Sequence, residues 1–420
     1  MTQTRPIAYL TGHYPKVSHT FIQREVLALR KLGLDICTCS IRRADDKDIN
    51  HDQMDELAST FFVLQTAKSP TRLLGALARR VTRNPGGMLR ARRLAWTTRA
   101  PGARAALWQL FYFLEAVVLA RHLEEIGARH LHNHFVDGSC TVAMLTSEMT
   151  GIPFSFTLHG PTELFEPAVW RLDEKIARAA FSVFISHFAR SQGMLFSDPA
   201  HWDRMRIVHC GIEPHRYGTA RQAEPGKNIL FIGRLAAVKG ATLLLDAFVR
   251  VLETHPDAHL TLVGDGPDRP TLEAKVKRLG IADQVTFTGY LGQDDVAAAL
   301  NAADLLVLPS FAEGVPVVLM EAMATGLPVI ASRVAGVQEL VEDGVSGRVL
   351  PPGDIDALVA ALDGLLSDPD MRARMGQAGR AKVVAEFDVA REAQWLSQLF
   401  HDSLKGQLPK GLRQECGETS

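Results

Sequence analysis

Residues 304–344 read DLLVLPSFAEGVPVVLMEAMATGLPVIASRVAGVQELVEDG. Leu305 to Leu308 form a short apolar run closed by Pro309, the pattern of a parallel strand buried on both faces. A loop with Glu313 and Gly314 follows. Pro316 then opens a helix at the position where a missing N–H costs nothing, and Gly326 ends it. Val317, Val318, Leu319, Met320, Ala322 and Met323 make that helix apolar almost all round, with Glu321 as the exception. A carboxylate there is costly unless something donates hydrogen bonds to it. Glu313 stands just before the helix, where free backbone N–H groups and the helix dipole favour an anion. Together they frame a pocket at the carboxyl end of a parallel strand, where open α/β sheets bind ligands. A plainer arrangement fits the same residues: Glu313 caps the helix and Glu321 meets a structural arginine.

Around this stretch lie 420 residues, too many for one ordinary core, so two domains are expected. With 46% hydrophobic and 22% charged residues the chain reads as globular. A net charge of -1 gives no overall pull toward nucleic acid, and no nucleic-acid partner is expected. Cys37, Cys39, Cys140, Cys210 and Cys416 are scattered and odd in number. They form neither a disulfide framework nor a paired zinc motif, which points to a reducing cytoplasm. The N-terminus enters a strand pattern directly, without a basic-then-apolar leader. No run is apolar for the length of a bilayer span; Ala103 to Leu123 is broken by Arg104, Gln109, Glu115 and Arg121.

From the N-terminus, strands are expected at Ile7 to Leu10, Leu34 to Ser40, Ile152 to Leu158, Phe181 to Ile185 and Arg206 to Cys210. Ser18 is placed to cap a helix from His19 to Leu32. His130, His132 and His134 alternate along HLHNHF, so a strand would put them on one face. A metal site must be weighed, but no further ligand lies near at metal spacing, and no metal is expected. Between Lys68 and Arg104 come ten cations and no acid, with Leu73, Leu74, Leu94 and Trp96 among them. Such a stretch suits either an anionic membrane surface or a solvated helical hairpin. Gly218 to Lys227 reads as a linker, and Lys405 to Ser420 as a frayed end.

Beyond the linker, strands at Ile229 to Ile232, His259 to Val263, Val285 to Thr288, Leu305 to Leu308, Pro328 to Ala331 and Gly347 to Leu350 alternate with helices, for example Gly240 to Thr254 and Gln293 to Ala303. That alternation predicts a parallel sheet with right-handed crossovers. The first turn, Gly233-Arg234-Leu235-Ala236-Ala237-Val238-Lys239-Gly240, brings two cations beside a helix start and would hold a diphosphate. Its spacing is neither a Walker A loop nor a dinucleotide fingerprint.

The run E-G-V-P-V-V-L-M-E-A-M-A-x-G-x-P-V-I-A-S resembles the E-x7-E signature of retaining glycosyltransferases of the GT-B fold, family 4. G-R-L-x-x-x-K-G is similar to that family's donor-diphosphate motif. Val263-Gly264-Asp265-Gly266-Pro267 and Thr288-Gly289-Tyr290 match further positions. YPKVSHTFIQREVLALRKLG resembles the opening of members that build colanic-acid-like exopolysaccharides.

The resemblance implies two Rossmann-like domains facing a cleft: residues 1–215 for the acceptor, with a basic helical insert at about 66–125, and 226–385 for the nucleotide sugar. A last helix, 386–404, would cross back to the first domain. Gly12 would face the cleft, and His159 would oppose the donor sugar. Gly233, Arg234 and Lys239 would hold the diphosphate, and Gly264, Gly289 and Tyr290 would lie along the nucleotide. Glu313 would meet the sugar hydroxyls and Glu321 the ribose. Relatives often have Gly where Pro316 stands, so backbone contacts would come from Gly314, Val315 or Val317, with Val315 bearing on hexose choice.

The implied reaction is transfer of a hexose, with retention and without a divalent metal, from a UDP- or GDP-sugar to a lipid-linked saccharide at the inner face of the membrane. The donor is a substrate, and no cofactor is expected. An epimerase of the same fold and a non-catalytic sugar-nucleotide-binding module remain open.

Overall fold

Each half of the chain builds its own parallel sheet. The computed structural model describes residues 5–16, 19–44, 53–217 and 226–413. It divides into one unit of Met1–Cys210 with Val389–Ser420, and a second of Gly211–Asp388.

The first unit holds seven strands: β1 (Ile7–His13), β2 (Ile36–Arg42), β3 (Phe61–Phe62), β4 (His130–His134), β5 (Phe154–Leu158), β6 (Phe181–Phe184) and β7 (Met205–Ile207). Their order is β3-β2-β1-β4-β5-β6-β7, all pairs parallel. Because side chains alternate along a strand, β1 feeds two cores. Ala8 and Leu10 join Leu131, Phe156 and the helices Ala103–Ile126 and Gly138–Thr150. Ile7 and Tyr9 join the helices Thr20–Lys31 and Val389–Leu404, whose Trp395, Leu396 and Phe400 are buried. The last helix thus returns to the first unit.

The second unit holds β8 (Asn228–Ile232), β9 (His259–Val263), β10 (Val285–Gly289), β11 (Leu305–Leu308), β12 (Val329–Ser332) and β13 (Gly347–Leu350). Their order is β10-β9-β8-β11-β12-β13, again all parallel. Leu305, Leu306, Val307 and Leu308 are each 1% exposed or less, as a strand covered on both faces requires. The direction of winding reverses between β8 and β11, so loops leaving these two strands open a crevice at their carboxyl ends.

Several sequence expectations need correction. Pro316 lies one residue outside the helix, which runs Val317–Ala324 with no side-chain cap. The helix Ala103–Ile126 is long and apolar enough to cross a membrane, contrary to the expectation, but from Phe113 onward one side of it is core: Phe113, Val117, Leu119 and Leu123 are buried. Arg80, read as one of a run of surface cations, is 1% exposed; it pairs with Glu124 and donates to Met149 O. Residues 405–413 are not frayed. The Leu412 carbonyl accepts from Ile207 N at 2.9 Å, Arg206 binds Pro409 O, and Arg413 pairs with Glu392 at 2.6 Å. The Ser18 cap, residues 218–225 of the linker, and Cys416 with the rest of 414–420 fall outside the described residues.

Candidate functional site

In the second unit, three strand ends are stitched into one floor. Gly233 N donates to Val263 O at 3.0 Å, Leu235 N to Asp265 O at 2.9 Å, and Gly264 N to Gly289 O at 2.8 Å. The approach is so close that only glycine fits at position 264. Its φ is +125, and a Cβ there would stand 2.1 Å from Gly233 O. Tyr290 is 72% exposed, its hydroxyl 3.5 Å from Asp265 O.

On this floor Lys239 ends a 3-10 turn, Ala237–Lys239. Its Nζ lies 2.6 Å from Glu313 Oε1, joining the β8 and β11 loops at the winding reversal. Glu313 is buried, so the pair is a cation-carboxylate contact with little water on the acid side. Arg234 is exposed and pairs with no carboxylate among the described residues. Phe311 N donates to Val238 O at 2.8 Å, and Gly336 N to Gly314 O at 3.1 Å, which fixes the loop on either side of Glu313. Val315 is buried. Val317 begins the helix, whose first N–H groups have no intrahelical partner. Glu321, half-buried on that helix, accepts from the Tyr217 hydroxyl at 2.9 Å. So Glu313 meets a lysine rather than capping the helix, and Glu321 meets a phenol.

The first unit carries a second cluster at the ends of β4 and β5, next to its own winding reversal between β1 and β4. His159 leaves β5, and its Nε2 lies 2.9 Å from His134 Nδ1 while its Nδ1 lies 3.3 Å from Cys210 Sγ. His134 Nε2 stands 3.3 Å from Glu25 Oε1 without hydrogen-bond alignment, and Tyr9 donates to the same carboxylate at 2.9 Å. Phe21 and Phe135 each pack tilted against the His159 ring, with centroids 4.8 Å away. Burial, then the neighbouring His134 and His19, hold His159 well below the ordinary imidazole range. It is therefore neutral at pH 7, able to give or take one hydrogen bond but not to bring a charge. Gly12 lies in β1, where its carbonyl receives Ser40 Oγ at 3.5 Å.

The alternating histidines do share one face, and hydroxyls meet one ring nitrogen of His130 and both of His132. His130 Nε2 and His132 Nδ1 are both 2.7 Å from Ser155 Oγ, and His132 Nε2 is 3.0 Å from Thr157 Oγ1.

The family profile described as Glycosyl transferases group 1 matches residues 220–382. The D-inositol 3-phosphate glycosyltransferase of Streptomyces scabiei is 30% identical over 310 residues, 65% of this chain and 68% of the relative. The chain belongs to the group 1 glycosyl transferases. Two solved structures extend the likeness at the level of fold. Sucrose-phosphate synthase from Thermosynechococcus elongatus superposes with a TM-score of 0.73 at 21% identity, covering 96% of this chain and 100% of that one. Anabaena HepE in complex with UDP and glucose gives 0.70 at 18% identity, covering 93% and 97%. The fold is GT-B, and the enzyme transfers a sugar from a nucleotide sugar.

The floor of the second unit carries a guanidinium with no carboxylate partner among the described residues, an ammonium held by a carboxylate, and a helix start. Two supporting residues were not found from sequence. Glu163 accepts from His159 N at 2.8 Å and Gly160 N at 3.0 Å, and also from Val136 N, so it fixes the loops after β4 and β5 together. Burial pushes its carboxyl up to about 7, against the opposing pull of those three N–H donors. The H-G-P-T-E order, an acid three residues after the start of a turn, was the signal available. Tyr217, the partner of Glu321, lies 104 positions away in sequence and gave no local signal.

Proposed function

We propose that this glycosyltransferase moves a hexose from UDP- or GDP-hexose to a lipid-linked saccharide, with retained configuration and without a divalent metal, in building a cell-surface polysaccharide at the cytoplasmic face of a membrane. The observation that carries this reading is the Lys239–Glu313 pair at the carboxyl ends of β8 and β11, with Arg234, exposed and without a carboxylate partner among the described residues, on the same loop after β8. Departure of the nucleoside diphosphate puts charge on the β-phosphate, and two side-chain cations there do the work for which other enzymes employ a metal ion. Glu313 is read as a partner of the sugar hydroxyls, Glu321 as a partner of the ribose, and neutral His159 as the group that opposes the donor sugar, reaching it with a ring nitrogen only by giving up His134 or Cys210. HepE, solved with UDP and glucose, supports the choice of donor class.

A panel of sugar nucleotides, with and without polyprenyl-linked acceptor and in excess chelator, tests the proposal. Donor hydrolysis or transfer that persists in chelator is expected. A free epimerised sugar nucleotide would indicate an epimerase, and binding without turnover a non-catalytic module. Activity lost in chelator and restored by magnesium or manganese would contradict metal independence.

The membrane part of the proposal draws on the surface of the helical insert. Leu107, Trp108, Leu110 and Phe111 stand 41–52% exposed on the first turns of the helix Ala103–Ile126. Trp96 is 63% exposed under the Arg99 guanidinium, which lies 3.7 Å from its ring. Arg72, Arg83, Arg92, Arg93 and Arg104 are exposed nearby in sequence. Cations close to anionic lipid contribute roughly 1 kcal/mol each, screened by salt. Changing Arg72, Arg83, Arg92 and Arg93 to Gln, and leaving the buried Arg80 alone, is expected to abolish co-sedimentation with anionic vesicles at low salt while donor hydrolysis continues. Binding that ignores lipid charge would reduce this surface to a solvated face.

A further inference from the structure

Strand β2 places Cys37 and Cys39 two residues apart, so both thiols point to the same face of the sheet. That face packs against the helix Ala103–Ile126, opposite the face that carries Tyr9. From this helix His122 reaches back, its Nε2 4.0 Å from Cys37 Sγ. One ligand atom from each of the three residues lies within 4.8 Å of the others. The imidazole is held in plane by Phe61 of β3, stacked at a centroid distance of 3.7 Å and an angle of 4°. Cys39 is buried, whereas Cys37 and His122 keep partial access to solvent.

Two chemistries suit a pair of thiols, and the strand separates them. Residues two apart on an extended chain have Cα atoms about 6.6 Å apart, at the outer edge of the roughly 4.4–6.8 Å that disulfides span and longer than their commonest 5.5–6 Å. A metal asks for less. Tetrahedral zinc with Zn–S near 2.3 Å and Zn–N near 2.1 Å needs its ligand atoms about 3.6–3.8 Å apart, a closure of at most about 1.2 Å from the present spacing. Two thiolates and an imidazole are a soft-to-borderline donor set that favours zinc over magnesium, calcium or manganese.

We propose that Cys37, Cys39 and His122 form a zinc-binding site that ties β2 to the helix Ala103–Ile126, with water in the fourth position on the half-exposed side. Binding releases the two thiol protons to solvent, and both sulfurs coordinate as thiolates. The site lies on the opposite sheet face from His132 and His134. Glu25, His132 and His134 also come within 4.8 Å of one another, but both nitrogens of His132 already meet hydroxyls.

The test uses the full chain, fully reduced and stripped of metal, titrated with zinc chloride and separately with cobalt chloride. One zinc per chain is expected, with a rise in melting temperature of roughly 5–10 °C at a hundredfold excess over Kd. Cobalt should give thiolate-to-metal charge-transfer absorption. Cys37→Ser and Cys39→Ala should each remove the absorption and the thermal shift, and His122→Gln should weaken zinc at least tenfold. Circular dichroism of each apo variant separates loss of the site from loss of the fold, and Cys37→Ser, at the half-exposed ligand, is the variant least able to unfold the core. No absorption in the reduced chain overturns the proposal. So does zinc binding that survives Cys37→Ser, which would place the metal at another cluster.

Discussion

Arg234→Ala is expected to lower glycosyl transfer by on the order of a hundredfold or more, the cost of removing a charge contact made to the departing phosphate. Arg234 is exposed and pairs with nothing among the described residues, so its loss should leave the melting temperature unchanged. Lys239→Ala should lower the rate by a similar factor but for a mixed reason. Lys239 neutralises the buried Glu313 at 2.6 Å, and its removal strands that carboxylate. Because Lys239 keeps about a quarter of its surface in water, the stability cost should stay near 1–2 kcal/mol rather than that of a fully buried pair. Steady-state rates with a fixed donor, alongside thermal melts, separate the two effects. Near-normal rates in both variants would sink the assignment of this loop to the diphosphate.

Gly264→Ala is expected to be the more damaging change for the fold. Its backbone φ of +125 is one that alanine rarely adopts, and the added Cβ would meet Gly233 O at 2.1 Å. Strain and clash together should cost about 3–5 kcal/mol, lowering the melting temperature by roughly 10 °C. Donor affinity should fall as well, since Gly233 can yield only by shifting Arg234. Gly344→Ala is the control: φ is +78 there too, but no atom lies within 4 Å of the new Cβ. It should cost about 1 kcal/mol. If the two variants melt together, the close packing of the β8 and β9 loops is not what sustains this floor.

The second unit could be read from sequence because most of its strands are short, largely apolar runs followed at once by glycine or proline. Three of them, His259–Val263, Leu305–Leu308 and Gly347–Leu350, fall where the pattern puts them. The residues of its floor also sit on strand ends, where local order predicts position. The first unit hid more. β3 is two residues long, too short for any period. Arg80 looks like part of a solvated charge run because the acid that pairs with it, Glu124, is 44 positions away. Cys37 and His122 are 85 positions apart, and only the packing of a helix on a sheet brings them together. The tie between residues 405–413 and β7 likewise depends on the chain's return, which no local pattern announces.

That return also sets a schedule for synthesis. Ile212 N donates to Phe387 O at 2.9 Å, so the second unit begins and ends at one place, like a loop spliced into the first. The helix Val389–Leu404 therefore leaves the ribosome after the whole second unit. Until it does, Tyr9, His130 and His132 lack Phe400, which packs 5.2–6.2 Å from their rings. At ordinary elongation rates that face of the nascent sheet stays uncovered for roughly 10–40 s. A chain stalled or truncated before residue 389 should expose it permanently, and become a client of chaperones that bind apolar surface.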